Sequence, residues 1–174
     1  MTRKGLVLLN TGNGKGKSTA AFGQAMRAAG NGFKVCVIQF IKGNAQTGEA
    51  KAFARFSDNV EFHVKGSGFT WAIEDKSEAV RAAREAFDFA KEKIRSDLYD
   101  MVVLDELTYL VTYEMVSEDE VLELVGNRPE RLHLVITGRN ASKKLIDAAD
   151  LVTEMVEVKH PYQKGVKAQR GIEF

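Results

Sequence analysis

Cysteine is nearly missing from this sequence. Cys36 is the one thiol in 174 residues, which excludes an intramolecular disulfide and any site built from several thiolates. It lies in the apolar run Val35-Cys36-Val37-Ile38 and reads as a small core residue. Long hydrophobic runs are also lacking: no stretch approaches the ~18–20 apolar residues that cross a bilayer. The start, Met1-Thr2-Arg3-Lys4, leads into a short apolar run with no small-residue cleavage site after it. A cytoplasmic protein without a membrane role is expected. An excess of one charge is missing too. Lysine and arginine total 25 against 24 aspartates and glutamates, a net charge of +1 that supplies no global field for nucleic acid or anionic lipid. The three histidines, His63, His133 and His160, have no metal-ligand spacing and read as structural. Repeats, low-complexity tracts and linkers are lacking, so residues 1–174 read as one domain.

What is present is an alternation of apolar runs with segments of helical period. Strands are expected at residues 6–9, 33–40, 60–64, 101–104, 132–137 and 151–158, the third nearer an edge because it alternates apolar and polar residues. Helices are expected at 16–29, 48–56, 77–96, 117–126 and 142–149. Ser117 and Glu120 have capping-box spacing, and Pro129 prevents continuation of the fourth helix. The tail from Lys159 shows no clear period. Such alternation gives an α/β fold with a mostly parallel sheet of about six strands and helices on both faces. Ligands in such sheets bind at the carboxyl ends of the strands.

The first of those ends carries Thr11-Gly12-Asn13-Gly14-Lys15-Gly16-Lys17-Ser18-Thr19. Glycines let successive N–H groups converge on an anion, the helix start adds its positive dipole end, and Lys17 can reach phosphates. Ser18 would offer a hydroxyl to Mg²⁺. The usual pattern has glycine five positions before Gly-Lys-Ser, where this chain has Thr11, so the loop from Gly12 is one residue short. Met101-Val102-Val103-Leu104-Asp105-Glu106 ends an apolar strand in two acids, one a metal ligand and the other its support; the spacing leaves open which is which. Arg139, in Ile136-Thr137-Gly138-Arg139, and Arg27, on the first helix, could neutralise phosphate charge. In Gly66-Ser67-Gly68-Phe69-Thr70-Trp71 the aromatic pair is either a core anchor or a wall against a large flat ligand.

Together these blocks resemble the phosphate-loop class of corrinoid adenosyltransferases. The loop from Thr11 to Ala21, Gln39-Phe40-Ile41-Lys42-Gly43, Gly68-Phe69-Thr70-Trp71, Leu104 to Tyr109, Ile136 to Arg139, and the tail from Val158 to Glu173 occur in order over essentially the whole chain. The resemblance implies a RecA-like phosphate-loop fold. The implied reaction moves the 5′-deoxyadenosyl group of ATP to cobalt(I) of a corrinoid and releases triphosphate, in adenosylcobalamin biosynthesis or salvage. It also implies Mg²⁺ or Mn²⁺, a flavoprotein reductant and a homodimer. By position, Gly12, Asn13, Gly14, Lys15, Gly16, Lys17, Ser18, Thr19, Arg27 and Arg139 would bind ATP. Lys17 and Glu106 would serve catalysis, Ser18 and Glu106 the metal, and Phe69 and Trp71 the corrinoid. Some members carry an N-terminal segment covering the neighbouring subunit's site, whereas about four residues precede the first strand here. The alternatives are a phosphoryl-transfer enzyme or ATPase of the same fold, releasing ADP and phosphate, and a nucleotide-dependent regulatory module without turnover.

Overall fold

The computed structural model describes residues 4–41, 47–66 and 76–173. Six strands form one parallel sheet: β1 (Val7–Thr11), β2 (Val35–Gln39), β3 (Val60–Val64), β4 (Met101–Asp105), β5 (His133–Thr137) and β6 (Leu151–Glu154), in the order β3-β2-β4-β5-β1-β6. Parallel neighbours require crossovers, supplied here mostly by helices α1 (Lys17–Gly30), α2 (Gly48–Phe53), α3 (Lys76–Arg95), α4 (Leu107–Thr112), α5 (Glu118–Gly126) and α6 (Lys143–Ala148). The inner strands bury both faces, which is why β2 and β4 read as unbroken apolar runs rather than alternating ones. Val35, Val37 and Val103 face α1 and Phe53, while Cys36, Ile38 and Leu104 face α3, α4 and α5. Phe22, Phe53 and Phe62 form an aromatic cluster with ring centroids 5.6–6.0 Å apart on the α1 side.

Several boundaries differ from expectation. The third strand does lie at an edge, as its alternation implies. The last strand stops at Glu154 rather than 158, and all four of its residues are exposed at the opposite edge. Helix α4 was not expected: Leu107–Thr112 is short and apolar, and its N-cap is Glu106, which has no side-chain capping bond. The fourth expected helix is α5, where Ser117 and Glu120 form the reciprocal capping box.

Candidate nucleotide site

The carboxyl ends of β1, β4 and β5 bring three loops together. After β1, Gly12 (φ 91°) and Gly16 (φ 109°) take the left-handed conformation open to glycine, and Gly16 caps α1. The loop lies directly on the segment that follows β6. Gly14 N–H donates to the Met155 carbonyl at 2.6 Å, and Met155 N–H donates to Thr11 O at 2.8 Å. A Cβ on Gly12 would fall 2.5 Å from Met155 O, and one on Gly14 2.7 Å from Val156 C. Glycine is therefore required here for close backbone approach, and the Gly14 N–H is taken up by the tail instead of pointing at an anion. Lys15 pairs with Glu173 of the same tail. Lys17 Nζ donates to Gly14 O at 2.6 Å.

Charge is concentrated around Lys17. Burial first, and then the nearby Arg139 cation, hold its ammonium below the ordinary lysine value, with Glu106 pulling the other way. Tyr109 shares these neighbours: burial raises its hydroxyl pKa, Arg139 lowers it and Glu106 raises it. Lys17, Glu106, Arg139 and Tyr109 thus share one electrostatic neighbourhood although they come from three loops.

The structure separates the two acids at the end of β4. Asp105 is fully buried; its carboxylate accepts Gln39 Nε2–H and Thr137 Oγ1–H, each at 2.8 Å. Glu106 is half-buried and adopts φ 64°, ψ 25°, a left-handed conformation costing a non-glycine residue about 1–2 kcal/mol. Its N–H donates to Thr137 Oγ1 at 2.8 Å. Glu106 therefore reaches the shared neighbourhood of Lys17, while Asp105 is engaged inside the protein. Ser18 is half-buried, and its hydroxyl makes no hydrogen bond among the described residues. A serine hydroxyl and a carboxylate beside an ammonium are hard oxygen donors of the kind that hold Mg²⁺ together with phosphate and water, so the residues fit the ion.

Arg27 stands apart from this group. It lies ten residues beyond Lys17 on α1, about 15 Å along the helix axis, and donates to Gln24 Oε1 at 3.3 Å. It lines a cleft of about 360 Å³ at the amino ends of the strands, with Leu6, Leu8, Phe33 and His133. Helical rise thus sets Arg27 apart from Lys17 within one protomer, as its place three turns along the first helix implies. Phe69 and Trp71 lie outside the described residues. The sequence reading missed Thr108, Thr137, Gln39 and Met155. The first three are neutral side chains that stand inside the quoted blocks but were given no role there, and Met155 acts through its backbone.

One further group of metal-ligating side chains occurs among the described residues: Cys36, Glu61 and His63, with ligand atoms within 4.8 Å of one another. The Lys93 ammonium already binds Glu61 Oε2 at 2.7 Å and Tyr99 OH at 2.8 Å. That bond, chiefly, lowers the Glu61 carboxyl to about 2, and burial pushes the Cys36 thiol up to about 12. A cation is thus supplied by the chain itself, and the thiol is held in its protonated form.

Comparison with known proteins gives a consistent result. The family described as ATP:corrinoid adenosyltransferase BtuR/CobO/CobP matches residues 3–174. Proteins named corrinoid adenosyltransferase from a Sinorhizobium species and from Pseudomonas aeruginosa are each 46% identical, over 98% of this chain and 81% and 84% of their own lengths. One of the same name from Escherichia coli is 43% identical over 98% of this chain and 86% of its own. Among solved structures, the flagellar accessory protein FlaH of Methanocaldococcus jannaschii has a TM-score of 0.57 at 9% identity. It covers 87% of this chain and 71% of that one, a likeness of fold alone.

Proposed function

This chain belongs to the ATP:corrinoid adenosyltransferase family, and from that membership we propose how its site performs the transfer. It is a transferase that moves the 5′-deoxyadenosyl group of ATP to the cobalt of a corrinoid, in adenosylcobalamin biosynthesis or salvage. The observation that carries the reading of the site is the cluster of Lys17, Arg139 and Glu106 around a glycine loop at the carboxyl ends of the strands.

Cobalt(I) is the nucleophile. Its electron pair forms the Co–C5′ bond while the C5′–O bond breaks, and the departing oxygen takes that bonding pair out with the triphosphate. No proton is transferred at the reacting carbon, so no general base is needed. What the protein supplies is fixed positive charge where negative charge grows. The helix start, the Lys17 ammonium and the Arg139 guanidinium fill that role, with Gly12, Asn13, Lys15, Gly16 and Thr19 shaping the cradle. Gly14 serves as the contact with Met155. Ser18 and Glu106 hold Mg²⁺, which, when bound, neutralises charge on the leaving phosphates. Phe69 and Trp71 take the corrinoid role by sequence position alone. A single domain spanning 1–174, a homodimer, a flavoprotein donor for the cobalt and a cytoplasmic location complete the reading. In support of the last, no helix among the described residues is long and apolar enough to cross a membrane.

Mixing the protein with a cobalt(I) corrinoid and MgATP tests this. A photolabile Co–C product with stoichiometric triphosphate supports it. ADP and phosphate in place of triphosphate would show a phosphoryl-transfer enzyme, and unchanged ATP a module without turnover.

A further inference from the structure

We propose that Thr137 and Thr108 are a reciprocal pair of positioning residues, each fixing through its hydroxyl the backbone of the charged residue close to the other in sequence. The inference rests on the reading that Glu106 and Arg139 act on metal and nucleotide. Thr137 closes β5, and its Oγ1 accepts the N–H of Glu106 on the loop after β4. Thr108 lies in the first turn of α4, directly after Glu106 and Leu107, and its Oγ1 donates at 2.6 Å to the carbonyl of Arg139 on the loop after β5. Both threonines are buried, at 0% and 3% exposure, so neither hydroxyl has bulk water as a substitute partner.

The direction of each bond is determined by proton count. A threonine hydroxyl has one proton and two lone pairs. Thr137 gives its proton to Asp105 Oδ1, so a lone pair is left to face the Glu106 N–H. Asp105 is kept in place in turn by Gln39 Nε2–H. The buried carboxylate thus acts through the Thr137 hydroxyl, which holds the Glu106 N–H from a neighbouring strand while the Glu106 carbonyl accepts Tyr109 N–H at 3.2 Å at the start of α4. On the other side, Gly138 (φ 146°) lies where any Cβ would fall on Thr108 Oγ1, so the glycine leaves the room that the Thr108–Arg139 bond occupies. The two bonds cross between the same two strand ends in opposite directions. They fix as one unit the backbones that carry the acid and the guanidinium of the Lys17 neighbourhood.

Valine and serine replacements separate the hydroxyl from the volume. MgATP binding measured by calorimetry without corrinoid, Mn²⁺ binding with ATP followed by electron paramagnetic resonance, and a thermal melt are recorded for each variant. Thr137→Val should weaken metal binding roughly 10–100-fold, as Glu106→Gln does, and Thr137→Ser should restore most of it. Thr108→Val should weaken ATP binding in the manner of Arg139→Ala, with Thr108→Ser restoring it. Thr108→Val leaves Asp105 with both donors, so it remains informative even if Thr137→Val fails to fold. Valine variants that bind metal and ATP like the parent, or serine variants as impaired as valine ones, overturn the proposal while Glu106→Gln and Arg139→Ala still show their losses. If those two direct variants also bind normally, the reading of the site fails and the positioning role fails with it.

Discussion

At the amino ends of the strands two aspartates are matched within the fold. Asp100 accepts Lys34 N–H at 2.8 Å and Arg131 Nη1–H at 3.0 Å, while Asp150 accepts Val7 N–H at 2.8 Å beside Arg128 at 3.8 Å. At the carboxyl ends the balance is reversed. Lys17 sits near Arg139 and Lys15, with Glu106 opposing them, and its ammonium is harder to keep charged than an ordinary lysine. Charges of the first kind are matched within the fold and stitch strand starts together. The second arrangement sets like charges together around Lys17, and under the proposed function a polyanion would complete it. The difference distinguishes a structural set of ions from a binding set more clearly than the residue types do, since both ends use the same ones.

Deleting one cation from the incomplete end should have the largest effect. Lys17→Ala is expected to lower turnover by ~10²–10³ at saturating ATP, with little change in melting temperature. A rate within about threefold of the parent would break the comparison, because a donor in the cradle cannot be that dispensable. Its pH dependence sharpens the same point. Because the ammonium is held below 10.5, rising pH strips its charge before that of an ordinary lysine, and bound phosphates restore it. MgATP affinity should fall on the alkaline side, and binding there should take up protons in calorimetry across two buffers. That uptake should vanish in Lys17→Ala.

Next comes the acid pair. Glu106→Gln should raise the Mg²⁺ needed for half-maximal activity by roughly 10–100-fold, whereas Asp105→Asn should act mainly on the melt. The opposite order would make the buried acid the ligand. At the matched end, Asp100→Ala removes bonds to a charged acceptor and should cost about 2 kcal/mol, or ~4–8 °C in Tm, with MgATP affinity unchanged. A loss of affinity without a loss of stability would remove the distinction between the two ends.

The smallest effect belongs far from both. Ser117→Ala breaks the capping box and should cost about 1 kcal/mol without altering turnover. The Ser117 N–H, its hydroxyl and Arg84 lower the Glu120 carboxyl to about 2 from 4.5. That contribution is complete above about pH 4.5 and is lost as pH falls toward 2. A denaturation series in acid should therefore bring Glu120→Gln and the parent together at the low end.

How much of this was legible in the sequence follows from which forces leave a pattern. Periodicity announced the six strands and five of the helices, because burial selects apolar residues at fixed spacing. The phosphate loop was legible because glycine, lysine and serine there have few substitutes. Helix α4 was not, since Leu107–Thr112 is too short to show a period and its cap is a glutamate in a left-handed conformation. Neither threonine stood out: a hydroxyl acting between two loops carries no spacing signal along either. Arg27 has its nucleotide role from the resemblance and not from its own spacing; the rise of its helix sets it about 15 Å from Lys17 along the axis.

The contact between Gly14 and Met155 also sets an order in time. The phosphate loop leaves the ribosome well before the segments it depends on: the strands flanking β1 are β5 and β6, and the carbonyl that fixes the loop belongs to residue 155. From Thr11 to Met155 is 144 residues, which at ~5–20 residues per second is a delay of roughly 7–30 s. Through that interval β1 is a nascent apolar segment with both hydrogen-bonding edges unpaired, and pairing across such sequence separation is slow in itself. Nucleotide cannot be gripped by a half-made chain in the geometry seen here. Emergence of the binding loop and its competence are separated by the synthesis of all that lies between Thr11 and Met155, and early β1 is a natural point for chaperone attention.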